Sequence, residues 1–326
     1  MQPQFACAGL VKPDNKYMKF ANRLRPALLA LAGLFLVSCS TPRPEHVFII
    51  SIDGGKPATM QRSPMPVLNR LIREGACDWN AQTIFPPITL PAHTSMLTGV
   101  PMEQHGITWN DWQPTQGVVA VPTVFASAKA AGYSTALFPG KEKFRHLLQP
   151  GTVDEFDYDK SNAIIVLKSD NGDKVFKKEG CIASLVVATN AANHIIAHQP
   201  NLCFIHFADP DSVGHQFGWD SPEQVKSYAE VDAALGMVLA AIQQAGIAEN
   251  SVVIVSSDHG GHGKGHGKNI PEDMTIPWIA WGQGVKKKFT ITNAVNTCDT
   301  AATALWLLEA PPIRPMTGRP VTAAFE

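Results

Sequence analysis

The chain carries almost no excess of either charge: 27 basic against 28 acidic residues leave a net charge of -1 over 326 residues. With no basic or acidic surplus, nothing drives binding to nucleic acid or to an anionic surface, and no nucleic-acid partner is expected. Long apolar runs are also missing. The most apolar stretch, Ala27 to Val37 within "MKFANRLRPALLALAGLFLVSCS", is too short to span a bilayer as a stable helix. Cysteine is scarce: besides Cys7 and Cys39 there are four, Cys77, Cys181, Cys203 and Cys298, and none of them form a CxxC spacing. An oxidising compartment would permit a disulfide, but the sequence does not pair them. No repeat or low-complexity stretch interrupts the remainder, and 45% apolar residues suffice for a sizeable core.

What is present begins with a leader. Basic Lys19, Arg23 and Arg25 precede the apolar run, which ends at a small residue and a cysteine, a secretory layout. "LVSC" resembles the bacterial lipobox. That resemblance implies a signal peptide over residues 1–38 and lipid on Cys39. With Ser40 behind the cysteine, it further implies a periplasm-facing protein anchored by its lipid at the outer membrane. Residues 1–17, ahead of Met18, read as an upstream start, and residues 40–45, opening "STPRP", read as a tether because its prolines favour extended chain.

From residue 46 onward short continuous apolar runs alternate with helical patterns. "HVFIIS", "YSTALF", "LCFIHF", "SVVIVS" and "IPWIAW" suit strands buried on both faces, as in parallel sheets. "MPVLNRLIREGA", "VPTVFASAKAAG", "IASLVVATNAANHIIAHQ", "QVKSYAEVDAALGMVLAAIQQAG" and "DTAATALWLLEA" suit helices. The alternation predicts a three-layer α/β/α sandwich with a mostly parallel central sheet over residues 46–326. Residues 145–182 mix β-prone pieces with turns and charge and read as a small insert.

In an open α/β sheet a ligand site lies beyond the carboxyl ends of the strands. Three of these runs end in acid: "FIISIDGG" in Asp53, "FIHFADPDSVGH" in Asp209 and Asp211, and "VIVSSDHGG" in Asp258. Carboxylates aimed from three strands at one edge repel each other unless a cation joins them. Histidines accompany two of the three, and mixed oxygen and nitrogen donors suit Zn²⁺, or Mn²⁺, better than Ca²⁺ or Mg²⁺.

"SIDGGKPATM", "TLPAHTSMLTGVPMEQHGITWN", "DPDSVGHQFGW" and "SSDHGGHGKGHG", in this order, resemble the alkaline phosphatase superfamily, and within it the type I phosphodiesterase and nucleotide pyrophosphatase branch. The resemblance implies an alkaline-phosphatase-like fold and a two-zinc hydrolase that cleaves phosphodiester or nucleotide pyrophosphate bonds through a phosphothreonine intermediate. It places Asp53, Thr89, Asp258 and His259 on one metal, and Asp211, His215 and a third histidine on the other. The spacing of "DSVGH" selects Asp211 over Asp209. The third histidine is His262 or His266, and the longer glycine-rich loop before His266 favours that residue.

Thr89 opens a helix-start pattern with proline in its first turn, where a helix N-terminus favours an alkoxide or phosphate. Asn110 matches the asparagine that donates to a non-bridging phosphate oxygen in this superfamily. "GKEKFRHLL" resembles the lysine-bearing segment of phosphonoacetate hydrolases. Lys141 and Lys143 are accordingly taken as substrate-binding, and are expected at the rim, meeting a remote anionic group of a small phosphate-ester or nucleotide substrate. Threonine followed by Ala92 and His93 does not fit the formylglycine motif of sulfatases. The alternatives are phosphonoacetate-hydrolase-like or phosphomonoesterase activity, or a catalytically inactive binding lipoprotein, against which the intact nucleophile and ligand set speak.

Overall fold

The computed structural model describes residues 43–168 and 174–326. The leader, Cys39 and the start of the tether lie outside the described residues. The strands are β1 (His46–Ile52), β2 (Ala76–Gln82), β3 (Thr135–Pro139), β4 (Glu155–Phe156), β5 (Ile164–Lys168), β6 (Lys174–Glu179), β7 (Leu202–Phe207), β8 (Ser251–Ser256), β9 (Thr275–Gly282) and β10 (Phe289–Thr290). The helices are α1 (Pro57–Arg62), α2 (Pro66–Glu74), α3 (Thr89–Thr98), α4 (Met102–His105), α5 (Val124–Ala130), α6 (Ser184–His198), α7 (Asp209–Phe217), α8 (Pro222–Gln244), α9 (Pro271–Met274) and α10 (Asp299–Leu307).

Eight strands form the central sheet in the order β10-β2-β9-β8-β1-β7-β3-β4, and only β9 runs against the others. The centre is built from β1, β7 and β8, whose residues are all buried. Their unbroken Val, Ile and Phe content is what a strand covered on both faces requires. Alternation along β1 divides the core. Val47 and Ile49 pack with Leu90 and Met96 of α3, Phe125 of α5 and Leu305 of α10. Phe48 and Ile50 pack with Leu68 of α2, Val187 of α6 and Val231 and Leu235 of α8. Helices therefore cover both faces, giving the α/β/α sandwich of an alkaline-phosphatase-like fold.

Register sets the functional edge. Ile52 of β1 stands opposite Phe207 of β7, and Ser51 stands opposite Ser256 of β8, so the three strands end level. Asp53, Asp209 and Asp258 consequently leave the sheet at one height.

Two features depart from the strand pattern in the sequence. The run "IPWIAW" lies in β9, which pairs antiparallel with both β8 and β2. Strand β2, "ACDWNAQ", alternates apolar and polar residues, the pattern of a half-covered strand, and is not among the continuous apolar runs above. Its pairing with β9 shifts register between Asp78 and Ala81. Within the stretch read as an insert, β4 pairs with β3 at the sheet edge, while β5 and β6 form a separate antiparallel hairpin. Cys77, Cys181, Cys203 and Cys298 are buried free thiols. No helix among the described residues is long and apolar enough to cross a membrane.

Candidate functional site

Beyond the carboxyl ends of β1, β3, β7 and β8 lies a cavity of about 360 Å³ whose lining includes Thr89, Asn110, Lys141, Lys143, Asp211, His215 and His266. Asp53 follows β1 directly and is fully buried. Its Oδ2 accepts from His206 Nε2 at 2.9 Å and meets Lys141 Nζ at 2.6 Å, while its Oδ1 lies 3.5 Å from His259 Nε2. Asp211 and His215 stand four residues apart on α7 and so share a helix face, with His215 Nε2 3.3 Å from Asp211 Oδ1. Asp211 Oδ2 accepts from Lys141 Nζ at 2.6 Å. Asp258 follows β8, and its Oδ1 accepts from the backbone N–H of Gly54 at 3.1 Å and of His259 at 3.0 Å.

Gly54 has φ +71°, and a Cβ there would stand 3.1 Å from Asp211 Cα. Only glycine lets the turn after β1 come this close to α7. In the glycine-rich loop after β8, a Cβ on Gly261 would lie 2.2 Å from the Trp219 ring. The loop closes over that indole, which donates through Nε1 to Gly54 O at 3.2 Å.

The imidazoles share one orientation device. His259 Nδ1 donates to Gly260 O at 2.8 Å, His266 Nδ1 to Pro87 O at 2.8 Å, and His215 Nδ1 to Lys264 O at 3.0 Å. Holding the proton on Nδ1 leaves each Nε2 lone pair free, as a metal-ligating histidine requires. His266 Nε2 lies 3.6 Å from Asp211 Oδ1, and the His266 ring stacks on His259 with centroids 3.6 Å apart. His262 is engaged elsewhere: its Nδ1 lies 2.7 Å from Oδ1 of buried Asp273 and ties the loop to α9.

At this edge of the sheet, four buried atoms are left without a hydrogen-bond partner among the described residues: Asp53 Oδ1, Asp211 Oδ1, Asp258 Oδ2 and His259 Nε2. Three carboxylate oxygens and an imidazole lone pair left unpaired in one place would each cost desolvation energy with no return. A cation placed among Asp53, Asp211 and His259 would offset that cost for the donors it meets. Donor atoms of Asp211, His215 and His266, and of Asp53, Asp211 and His259, lie close enough together to hold an ion. Burial and neighbouring His266 push His259 down to about 3, so it is a neutral donor at physiological pH. Burial would raise Asp53, but Lys141 and His206 hold it well below the usual carboxylate range.

Asp209 is turned from this cluster. Its Oδ2 accepts from the backbone N–H of Ser184 at 2.8 Å and from the Ser184 hydroxyl, satisfying the start of α6. Burial pushes it up to about 6.

Thr89 is the first residue of α3 and is buried. Its carbonyl accepts from His93 Nδ1 at 2.8 Å, and His93 Nε2 accepts from the Ser51 hydroxyl at 2.7 Å, which ties the helix start to β1. Asn110 Oδ1 accepts from the N–H of Leu90 at 2.9 Å and from Lys143 Nζ at 3.1 Å. With both donors on the oxygen, the amide NH₂ is the group left to donate into the cavity.

The lysines correct one expectation. They are not at the rim: Lys141 is only 7% exposed and bridges Asp53 and Asp211. Burial opposes its charge, yet Asp211 and Asp53 hold it well above the usual lysine range. Lys143 is pushed down to about 8 by burial and by Lys141. His206, inside the apolar run "LCFIHF", is a further site residue that the sequence motifs do not assign. An imidazole at the end of a central strand, next to the strand that delivers Asp53, was the available signal.

A parallel sheet whose carboxyl edge gathers carboxylates, imidazoles and a helix-start threonine defines a protein of the alkaline phosphatase superfamily. The chain belongs to the type I phosphodiesterase / nucleotide pyrophosphatase family, a family of phosphoric ester hydrolases, whose sequence profile matches residues 47–265. It is 24% identical over 245 residues to ectonucleotide pyrophosphatase/phosphodiesterase family member 7 of Mus musculus, covering 72% of this chain and 54% of the relative. It is 24% identical over 237 residues to bis(5'-adenosyl)-triphosphatase enpp4 of Xenopus laevis, covering 68% and 47%. The chain thus spans about half the length of the curated relatives it matches. Murine ectonucleotide pyrophosphatase / phosphodiesterase 5, an inactive variant in complex with AMP, superposes with a TM-score of 0.69 at 17% identity over 86% of this chain and 100% of that one. Alkaline phosphatase PafA superposes with a TM-score of 0.74 at 13% identity over 88% and 100%.

Proposed function

We propose that this chain hydrolyses phosphodiester or nucleotide pyrophosphate bonds at a two-metal site, with zinc, or manganese in its place, as the resident ion. The carrying observation is the set of four buried donor atoms without partners beside the start of α3. Asp53, Thr89, Asp258 and His259 would hold one ion, and Asp211, His215 and His266 the other. When bound, such ions supply Lewis acidity, lowering the pKa of a coordinated hydroxyl and offsetting phosphate charge.

The chain's own residues do the rest. Thr89 Oγ1 gives up its proton and attacks phosphorus, the bond from phosphorus to the leaving oxygen breaks, that oxygen departs with the bonding pair and takes up the proton, and a phosphothreonine forms. Water then cleaves that ester, returning the proton to Thr89 and releasing the phosphorylated product. The NH₂ of Asn110 and the N-terminus of α3 stabilise charge on the non-bridging oxygens. His206 and Lys141 hold Asp53 Oδ2 and leave Oδ1 without a hydrogen-bond partner among the described residues. A small nucleotide substrate is supported by the AMP complex of the murine structural neighbour and by the triphosphatase relative.

A second reading rests on a specific observation: Lys141 and Lys143 stand at the metal-facing carboxylates and at Asn110. Extra cations there favour a dianionic monoester or phosphonate. Metal analysis of the purified chain, with turnover of bis-p-nitrophenyl phosphate, p-nitrophenyl phosphate, ATP and phosphonoacetate, tests both. The expected result is close to two zinc per chain and activity abolished by chelation. One tightly held calcium would overturn the assignment, and a clear preference for p-nitrophenyl phosphate or phosphonoacetate would select the second reading. The lipid anchor at Cys39, facing the periplasm, belongs to the same proposal. Mass spectrometry of membrane-associated protein should find Cys39 as an acylated N-terminus.

A further inference from the structure

His146 lies in the turn Glu142–Leu147, which follows Lys141 and carries Lys143, and it is completely buried. Two donors converge on its Nε2: Trp109 Nε1–H at 3.1 Å and the backbone N–H of Gln113 at 3.0 Å. Neither group can accept, so Nε2 carries no proton. The proton sits on Nδ1 and is donated to Gly117 O at 2.5 Å. The ring also packs against Trp109, with centroids 5.4 Å apart, and Trp112, at 4.5 Å. One imidazole therefore fastens residues 109, 112, 113 and 117 of the loop that carries Asn110.

The same turn is anchored from its other side. Phe144 packs on His93 and His206 with centroids 4.8 Å and 4.6 Å away. Lys143 reaches Asn110 Oδ1 at 3.1 Å. His146 thus joins two segments that also meet where Lys143 reaches Asn110 and where the Val119 N–H donates to His146 O at 2.8 Å.

We propose that His146, as the neutral Nδ1–H tautomer, is the positioning residue that sets Asn110 and Lys143 against the phosphate bound at Thr89. This rests on the functional reading above. The argument is one of acceptor supply. Removing the Nε2 lone pair strands two part-buried N–H groups, which the loop can satisfy by moving toward water, taking Asn110 with it.

The test compares three variants of the full chain. His146→Phe keeps a ring without an acceptor, His146→Asn reaches only the Nδ1 position, and His146→Gln can present an oxygen near the Nε2 position. Hydrogen exchange followed by mass spectrometry should accelerate over residues 106–118 in the Phe and Asn variants, and the Gln variant should recover most of the protection. In kcat/KM on a p-nitrophenyl ester, His146→Phe should lose about tenfold to hundredfold, but in an Asn110→Ala background less than about threefold further. Additive losses, or equal impairment of the Gln and Asn variants, would overturn the proposal. Should the wild-type chain turn over no phosphate ester, the functional reading fails by itself. The exchange measurement then still decides, because unchanged protection in the Phe variant means His146 does not hold the loop.

Discussion

His206 donates its Nε2–H to Asp53 Oδ2 at 2.9 Å across the pair of central strands, and its Nδ1 accepts from the N–H of Gly140 at 3.2 Å. Backbone thus fixes the tautomer, and the tautomer fixes which oxygen of Asp53 is spent inside the protein. Only Oδ1 is left for an ion. Replacing His206 with Phe should lower zinc affinity about tenfold to hundredfold, read by competition with a chromophoric chelator. Unchanged affinity would mean that Lys141 alone suffices to hold the carboxylate.

Thr89→Ala should lower turnover by more than about a thousandfold while zinc content stays near the wild-type value, because the carboxylates and imidazoles remain. Thr89→Ser should keep partial activity. Normal turnover in the alanine variant would show that water attacks phosphorus directly, with no covalent intermediate.

His266→Ala removes an Nε2 that faces Asp211, and is expected to strip one metal and most activity. His262→Ala breaks the tie to Asp273 instead, and its cost should appear in thermal stability, by about 1–2 kcal/mol, more than in metal content. Elemental analysis of both variants checks this. Metal loss confined to His262→Ala would reverse the assignment.

Lys143→Ala should slow p-nitrophenyl phosphate more than bis-p-nitrophenyl phosphate, by a further factor of about ten, since the dianion gains more from a nearby ammonium. Equal slowing of both esters would show that Lys143 acts through Asn110 and not on substrate charge.

Asp220 gives a prediction for stability against pH. It joins the turn after α7 to α1, accepting from Lys56 Nζ at 2.7 Å, from Arg62 at 2.7 Å and from the Thr59 hydroxyl. Burial opposes its ionisation, yet Lys56, Thr59 and Arg62 hold it down at about 2, below the ordinary 3.8. Because the folded value is the lower one, its contribution is complete above the ordinary value and is lost as pH falls through about 2. Urea unfolding of wild type and Asp220→Asn should therefore differ at neutral pH and converge in strong acid. A gap that persists at the acid end would mean that the carboxylate's charge is not what matters.

Local pattern alone places the sheet's centre and the chemistry of its edge. Continuous apolar runs suit strands covered on both faces, and acids placed directly after such strands emerge at the carboxyl end, which puts Asp53, Asp209 and Asp258 at one edge, with Asp211 one half-turn further along α7. The i,i+4 spacing of Asp211 and His215 likewise needs no tertiary information to share a face. Distances between segments far apart in the chain lie beyond that reach. Strand β2 has an alternating pattern of its own, but its place between β9 and β10 is set by packing. Lys141 was expected at the rim, but β3 delivers it between two carboxylates that arrive from β1 and α7. His262 and His266 carry the same local glycine-rich signature. They part only because Asp273 takes one imidazole and Pro87 O orients the other. Hydrogen bonds of this kind depend on where the backbone of a remote segment ends up, which packing of the whole sheet fixes and local composition does not.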